Sequence, residues 1–144
     1  MRAVCQRVSS ARVLVDLAVA GEIGAGLAVL VGIERGDDSG QAERLAGKIA
    51  RLRIFEDDNG RFNRSIVDVG GGALVVSQFT LIADTRRGNR PSFTNAASPE
   101  EAEPLYEHLC AALAAEGVEV ERGVFGARMA LELVNDGPVT IVLD

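Results

Sequence analysis

The chain has no tryptophan, a single histidine, two cysteines and only 4% aromatic residues in 144. Each scarcity removes a class of chemistry. A serine or threonine nucleophile needs a positioned base, and His108, set between Glu107 and Leu109, reads as a partly exposed helix residue. A Ser-His-Asp triad is therefore excluded. Cys5 and Cys110 are far apart, with no CxxC spacing and no Cys/His cluster, so no zinc ligand set exists. They read as two reduced, buried thiols of a cytosolic protein. No metal and no other cofactor is expected. Long apolar runs are also missing. The most apolar stretch, 25–33, falls far short of the roughly 20 residues a bilayer requires. The N-terminus carries Arg2 and Arg7 without an apolar signal region. A soluble, cytoplasmic protein with no membrane partner is expected.

Positive charge is short as well: 15 Lys and Arg stand against 21 Asp and Glu, for a net charge of −6. Affinity for phosphate comes mainly from Lys and Arg, so a broad nucleic-acid-binding surface is excluded and only a local patch is open. Arg51, Arg53, Arg61 and Arg64 form one loose group, and Arg86, Arg87 and Arg90 another. Each reads either as solvated loop charge or as a local contact.

What is present is ordinary for a globular protein, with 47% apolar and 25% charged residues. The length fits one domain spanning 1–144 and is enough to bury a core. Without tryptophan, that core must be built from Val, Leu, Ile and Ala. Alternation over 3–8, a turn at Ser9-Ser10 and the run 27–31 predict short strands. Ala42, Leu45, Ala46, Ile49 and Leu52 recur at helical spacing, predicting a helix over 39–52 capped by Asp38 or Ser39. Asp57-Asp58-Asn59-Gly60 predicts a turn and Ala73–Val76 a central strand. Residues 83–97 lack periodicity and read as a surface loop. A second helix is predicted from Ser98 as N-cap, with Pro99 at its first position and Glu101 closing a capping box, ending at Gly117. Residues 129–134 and 139–143 predict a hairpin around Asn135-Asp136-Gly137-Pro138. The elements sum to one α/β domain with helices on one face of a mostly antiparallel sheet.

Two segments carry possible chemistry. Ser77-Gln78-Phe79-Thr80-Leu81 follows the central strand and offers hydroxyls, an amide and backbone N–H groups, which can converge on a developing oxyanion. Read alone, it is also a strand ending in a polar turn. Gly137-Pro138 is equally a hairpin loop or, if its bond is cis, a pair of aligned carbonyls able to accept from an ammonium group.

Together with Gln6-Arg7-Val8, Gly21-Glu22-Ile23-Gly24, Arg53-Ile54-Phe55 and Gly88-Asn89-Arg90-Pro91-Ser92-Phe93, these segments run in one order along nearly the whole chain. In that order they resemble the D-aminoacyl-tRNA deacylase family. The resemblance implies a homodimer of three-layer α/β/β subunits with two main helices. It also implies hydrolysis of the ester joining a D-amino acid, or mischarged glycine, to the 3′-terminal ribose of tRNA. Ser77, Gln78, Phe79 and Thr80 would line the pocket, with the Phe79 N–H in an oxyanion hole. Gly137 and Pro138, joined by a cis bond, would reach into the partner's site. There they would hold the substrate's α-amino group and exclude L side chains by steric conflict. Arg7 would brace that loop, and Phe125 and Met129 would enclose the terminal adenosine. Thr80 and the RNA's own 2′-hydroxyl are both candidates to assist attack. The hydroxyl of the RNA is favoured, because no base stands beside Thr80 in the sequence. Contact with tRNA would fall to local arginines, with Arg86 and Arg87 the expected pair. A non-catalytic dimeric module binding D-amino acids or aminoacyl-tRNA, or a general small-ester hydrolase, are the competing readings.

Overall fold

The computed structural model describes residues 1–144. Three strands open the chain: β1 (Arg2–Val15), β2 (Ala18–Ile23) and β3 (Gly26–Gly32). Helix α1 (Ser39–Arg51) follows, then the small hairpin β4 (Phe55–Glu56) and β5 (Phe62–Arg64) and the single turn α2 (Ile66–Val69). Strand β6 (Gly72–Ser77) runs into a 3-10 turn at Phe79–Ile82. Helix α3 (Pro99–Ala115), β7 (Glu119–Arg122) and β8 (Ala130–Leu143) complete the chain. No helix is long and apolar enough to cross a membrane.

The main sheet is mixed, in the order β2-β1-β3-β6-β7, with β8 along the other side of β1. β1 pairs antiparallel with β2, β3 and β8, whereas β6 lies parallel to both β3 and β7. Side chains alternate across a strand, and here both faces are used. Leu27, Val29, Val31, Ala73 and Val75 face the helices in a core of 22 buried residues. Ala28, Leu74 and Val76 face the other way, into a core of 7 that holds Val8, Ala11, Val13 and Ile23. The far end of β1, with β2 and part of β8, thus folds back over the sheet as a second β layer. Leu27 and Leu74, both wholly buried, stabilise their respective cores by about 1.5–3 kcal/mol each. Contact between the β layers is close: a Cβ at Gly21 of β2 would sit 2.5 Å from the Arg122 carbonyl of β7.

Helices α1 and α3 pack on the first face through Ala42, Ala46 and Ile49 and through Tyr106, Leu109 and Leu113. Asp38 caps α1: its Oδ1 accepts from the Gln41 N–H at 2.8 Å, and Gln41 Oε1 accepts from the Asp38 N–H at 2.7 Å. His108 joins Glu43 of α1 at 2.9 Å on the exposed side.

Three local expectations are corrected. Ser98 stands at the N-cap of α3, but its side chain caps nothing; its carbonyl accepts from Glu101 and Ala102 instead. Ser9-Ser10 is not a turn but a shift of register within a continuous β1. That shift keeps Val8, Ala11 and Val13 on one core. The hairpin over 129–143 is also absent, because β8 is one long strand whose halves pair with successive parts of β1 rather than with each other. Arg7 alone stands opposite the stretch Asp136 to Val139, which bulges from the strand between the pairs Gln6–Thr140 and Val8–Asn135.

Candidate active site

β6 is apolar because it lies between two parallel neighbours with both faces covered, and this buries Ala73 to Val76 and fixes where Ser77 emerges. The Gln78 N–H donates to the Val31 carbonyl at 2.7 Å, and the chain then tightens: Leu81 N–H donates to the Gln78 carbonyl at 3.1 Å and Ala83 N–H to the Thr80 carbonyl at 3.2 Å. Phe79 and Thr80 are thus the first residues of a 3-10 turn, the position at which backbone N–H groups have no acceptor within their own turn. The Gln78 side-chain amide donates to the Thr80 hydroxyl.

This end of the sheet opens into a cavity of about 590 Å³. Ser77, Gln78 and Phe79 form one wall, and Phe125 and Met129 another. Phe93, from the 83–97 loop, stands edge-on to Phe79 with ring centroids 5.1 Å apart. Phe125 packs at 5.9 Å against Tyr106, whose hydroxyl donates to the Val75 carbonyl at 2.8 Å. Gly123 makes room for this wall, since a Cβ there would lie 2.8 Å from the Met129 sulfur. No lining residue is an acid, a base or a thiol. Burial pushes the Cys5 thiol up to about 12 and the Cys110 thiol up to about 11, and it raises the Tyr106 phenol too. The cavity therefore offers hydroxyl, amide, main-chain N–H and apolar surface.

Of the residues singled out in the sequence, Ser77, Gln78, Phe79, Phe125 and Met129 meet in this cavity, with Thr80 exposed beside it. Gly137, Pro138 and Arg7 do not line it. They form a second constellation on the β1–β8 bulge, where the Gly137–Pro138 bond is cis and both residues are exposed. Arg7, nearly fully buried, donates from Nε to the Asp136 carbonyl at 3.1 Å and from Nη1 to the Ile54 carbonyl at 2.8 Å. Its charge is met by Asp136 at 3.5 Å and Glu56 at 3.7 Å, and its guanidinium lies 5.5 Å over the Phe62 ring. Phe93 and the walls Ile33 and Ala102 went unassigned in the sequence. Only the aromatic character of Phe93 beside Arg90-Pro91 could have signalled a pocket residue.

The family model described as D-Tyr-tRNA(Tyr) deacylase matches residues 4–144. The chain is 62% identical to a D-aminoacyl-tRNA deacylase of Ruegeria pomeroyi and 60% identical to one of Deinococcus radiodurans, in each case over 100% of this chain and 99% of the relative. A solved structure described as a c-Myc DNA Unwinding Element Binding Protein superposes with a TM-score of 0.94 at 39% identity, covering 100% of this chain and 98% of that one. Another, described as a probable eukaryotic D-amino acid tRNA deacylase, shares the fold with a TM-score of 0.82 at 18% identity, covering 99% and 97%. With its sequence matched along nearly its whole length, the chain belongs to the D-Tyr-tRNA(Tyr) deacylase family.

Proposed function

We propose that this protein is a D-aminoacyl-tRNA deacylase that cleaves the ester between a D-amino acid, or glycine, and the 3′-terminal ribose of tRNA, and that it works as a homodimer. The observation that carries this reading is a cavity of substrate size whose walls hold no titratable side chain. Such a site activates no nucleophile of its own, so it suits a substrate that brings a hydroxyl beside the scissile bond. The ribose 2′-hydroxyl orients the attacking water, the Phe79 N–H stabilises the oxyanion, and Ser77 and Gln78 hold the acyl end. The carbonyl carbon gains the water oxygen, the bond to the ribose 3′-oxygen breaks, and that oxygen takes the proton. Phe125 and Met129 enclose the adenine.

The homodimer rests on the separation of the two constellations. An exposed Gly137-Pro138 loop that lines no cavity of its own chain, held from beneath by a buried arginine, suits insertion into a second copy. Its carbonyls would there accept from the substrate's α-ammonium group. An L side chain would be driven into that backbone, a D side chain would point away, and glycine has none to exclude.

The test is deacylation of D-Tyr-tRNA and L-Tyr-tRNA side by side, together with mixing of two damaged variants, Gly137→Ala and Phe79→Pro. Loss of the D ester alone, with activity partly recovered on mixing, supports a site completed in trans. Equal loss of both esters removes the chiral filter, and a monomer at micromolar concentration removes the shared site. Binding of D-Tyr-tRNA without turnover would favour the non-catalytic module.

A further inference from the structure

Half of the arginines of this acidic protein are already engaged. Arg12, Arg51, Arg64, Arg86 and Arg122 each meet a carboxylate. Arg86 is held most completely, since its backbone N–H, Nε and Nη2 all donate to the Asp84 carboxylate, the last at 2.7 Å. Arg87, Arg90 and Arg128 are different: all three are exposed, and none is within ion-pair distance of a carboxylate. They also lie on segments that lead into the cavity wall. Arg128 sits between the lining residues Ala127 and Met129, and Arg90 leads through Pro91 and Ser92 into Phe93. The loop carrying Arg87 and Arg90 is closed at its base by paired backbone bonds between Asp84 and Ser92, at 2.8 and 2.9 Å. Unpaired cations such as Arg44 and Lys48 of α1 contribute nothing to this cavity. Beside Pro99, on another part of the wall, Glu100 and Glu101 present exposed carboxylates that repel phosphate.

We infer that Arg87, Arg90 and Arg128 hold the backbone phosphates immediately upstream of the esterified 3′ nucleotide, so that the RNA end leaves the cavity over the 84–92 loop and the Arg128 rim. This rests on the deacylase reading above. Arg86, committed to Asp84, holds the loop and takes no phosphate. The arrangement also accounts for a nucleic-acid substrate on a chain of net charge −6: three free cations are placed where the strand passes, while seven other arginines are paired with carboxylates.

The test compares kcat/KM on a D-tyrosyl minihelix RNA with that on 3′-O-D-tyrosyl adenosine, which has no upstream phosphate, from about 50 to about 200 mM KCl. Single strands give a log–log slope of about −0.7 per neutralised phosphate, so three contacts predict a slope near −2 and a loss of about 20-fold for the wild type over that range. The triple variant Arg87→Ala/Arg90→Ala/Arg128→Ala should be slower on the minihelix, nearly flat with salt, and unchanged on the adenosine ester. Arg86→Ala should keep the wild-type slope. A triple variant that retains the slope, or that slows equally on both esters, overturns the inference while leaving the deacylase intact. So does an Arg86→Ala variant that loses as much slope as the triple. A wild type that turns over neither ester overturns the deacylase reading, and this one with it.

Discussion

Arg7 Nε lies 3.1 Å from the carbonyl oxygen of Asp136, the residue before Gly137, and the arginine that makes this bond is almost wholly buried. A guanidinium carries its donors in a fixed planar fork. Here one side of the fork fixes the bulge of β8 and the other fixes the Ile54 carbonyl ahead of β4. The position of an exposed loop is therefore set from inside the sheet.

Replacing Arg7 by Met should remove both bonds and leave the Asp136 carbonyl without its donor. Hydrogen bonds to charged groups are each worth about 1.5–3 kcal/mol, so the midpoint of urea unfolding should fall measurably. Deacylation should fall at least tenfold. Arg7→Lys should keep the charge and recover only part of either quantity, since an ammonium cannot span both carbonyls. Full recovery by lysine would mean that charge alone matters.

At Gly137, φ is +126°, a region that disfavours L side chains, and a Cβ would come 2.9 Å from Val139 Cγ2 and 3.2 Å from Arg7 Nη2. Gly137→Ala should therefore shift the loop rather than unfold the domain. The expected result is a near-native melting temperature, D-ester turnover reduced at least tenfold, and a smaller D-over-L ratio. An unchanged ratio would separate this loop from chiral selection.

Thr80 is exposed, and its hydroxyl is hydrogen-bonded by the Gln78 amide rather than by an acid or base. Thr80→Val should keep turnover within a few-fold of wild type, whereas a substrate ending in 2′-deoxyadenosine should be cleaved far more slowly. The reverse pattern, with the variant dead but folded and able to bind, would make Thr80 the nucleophile.

The thiols should be silent in the native state. Burial raises Cys5 to about 12 and Cys110 to about 11, and the thiolate is the reactive form. Iodoacetamide at pH 8 should label neither until denaturant is added. A folded pKa above the unfolded one contributes stability that is whole below the unfolded value and is lost as pH rises through the folded one. Stability should accordingly decline above about pH 9, and Cys5→Ser should flatten that decline.

Asp84 titrates at about 2 because the Arg86 side chain, then the Arg86 backbone N–H, donate to its carboxylate. Here the folded value lies below the unfolded one, so the contribution to loop anchoring is present above the ordinary carboxylate value. It is lost as pH falls through about 2. A side-chain carboxyl resonance followed by NMR should give that midpoint in the wild type and a value near an ordinary aspartate in Arg86→Ala.

Much of the molecule follows from local pattern. Spacing of Ala42, Leu45, Ala46 and Ile49 marks the buried face of α1, the oxygen of Asp38 marks its start, and glycine and asparagine mark the turn before β5. Order and identity of the motif segments were likewise enough to place the chain in its family. A helix face or a cap involves residues within about one turn of each other, so a short window of sequence holds all the interacting parts. What the window cannot hold is pairing at long range. Val139 to Leu143 has the composition of a hairpin arm, yet β8 lies along β1, and that register packs the half-buried Leu131 and Leu133 on the core that holds Val13 and Leu74. For the same reason only the tertiary structure could bring Phe93 onto Phe79 and set the Gly137-Pro138 loop apart from the cavity. Each depends on which distant surfaces become buried together, an energy that belongs to the packed whole rather than to any one segment.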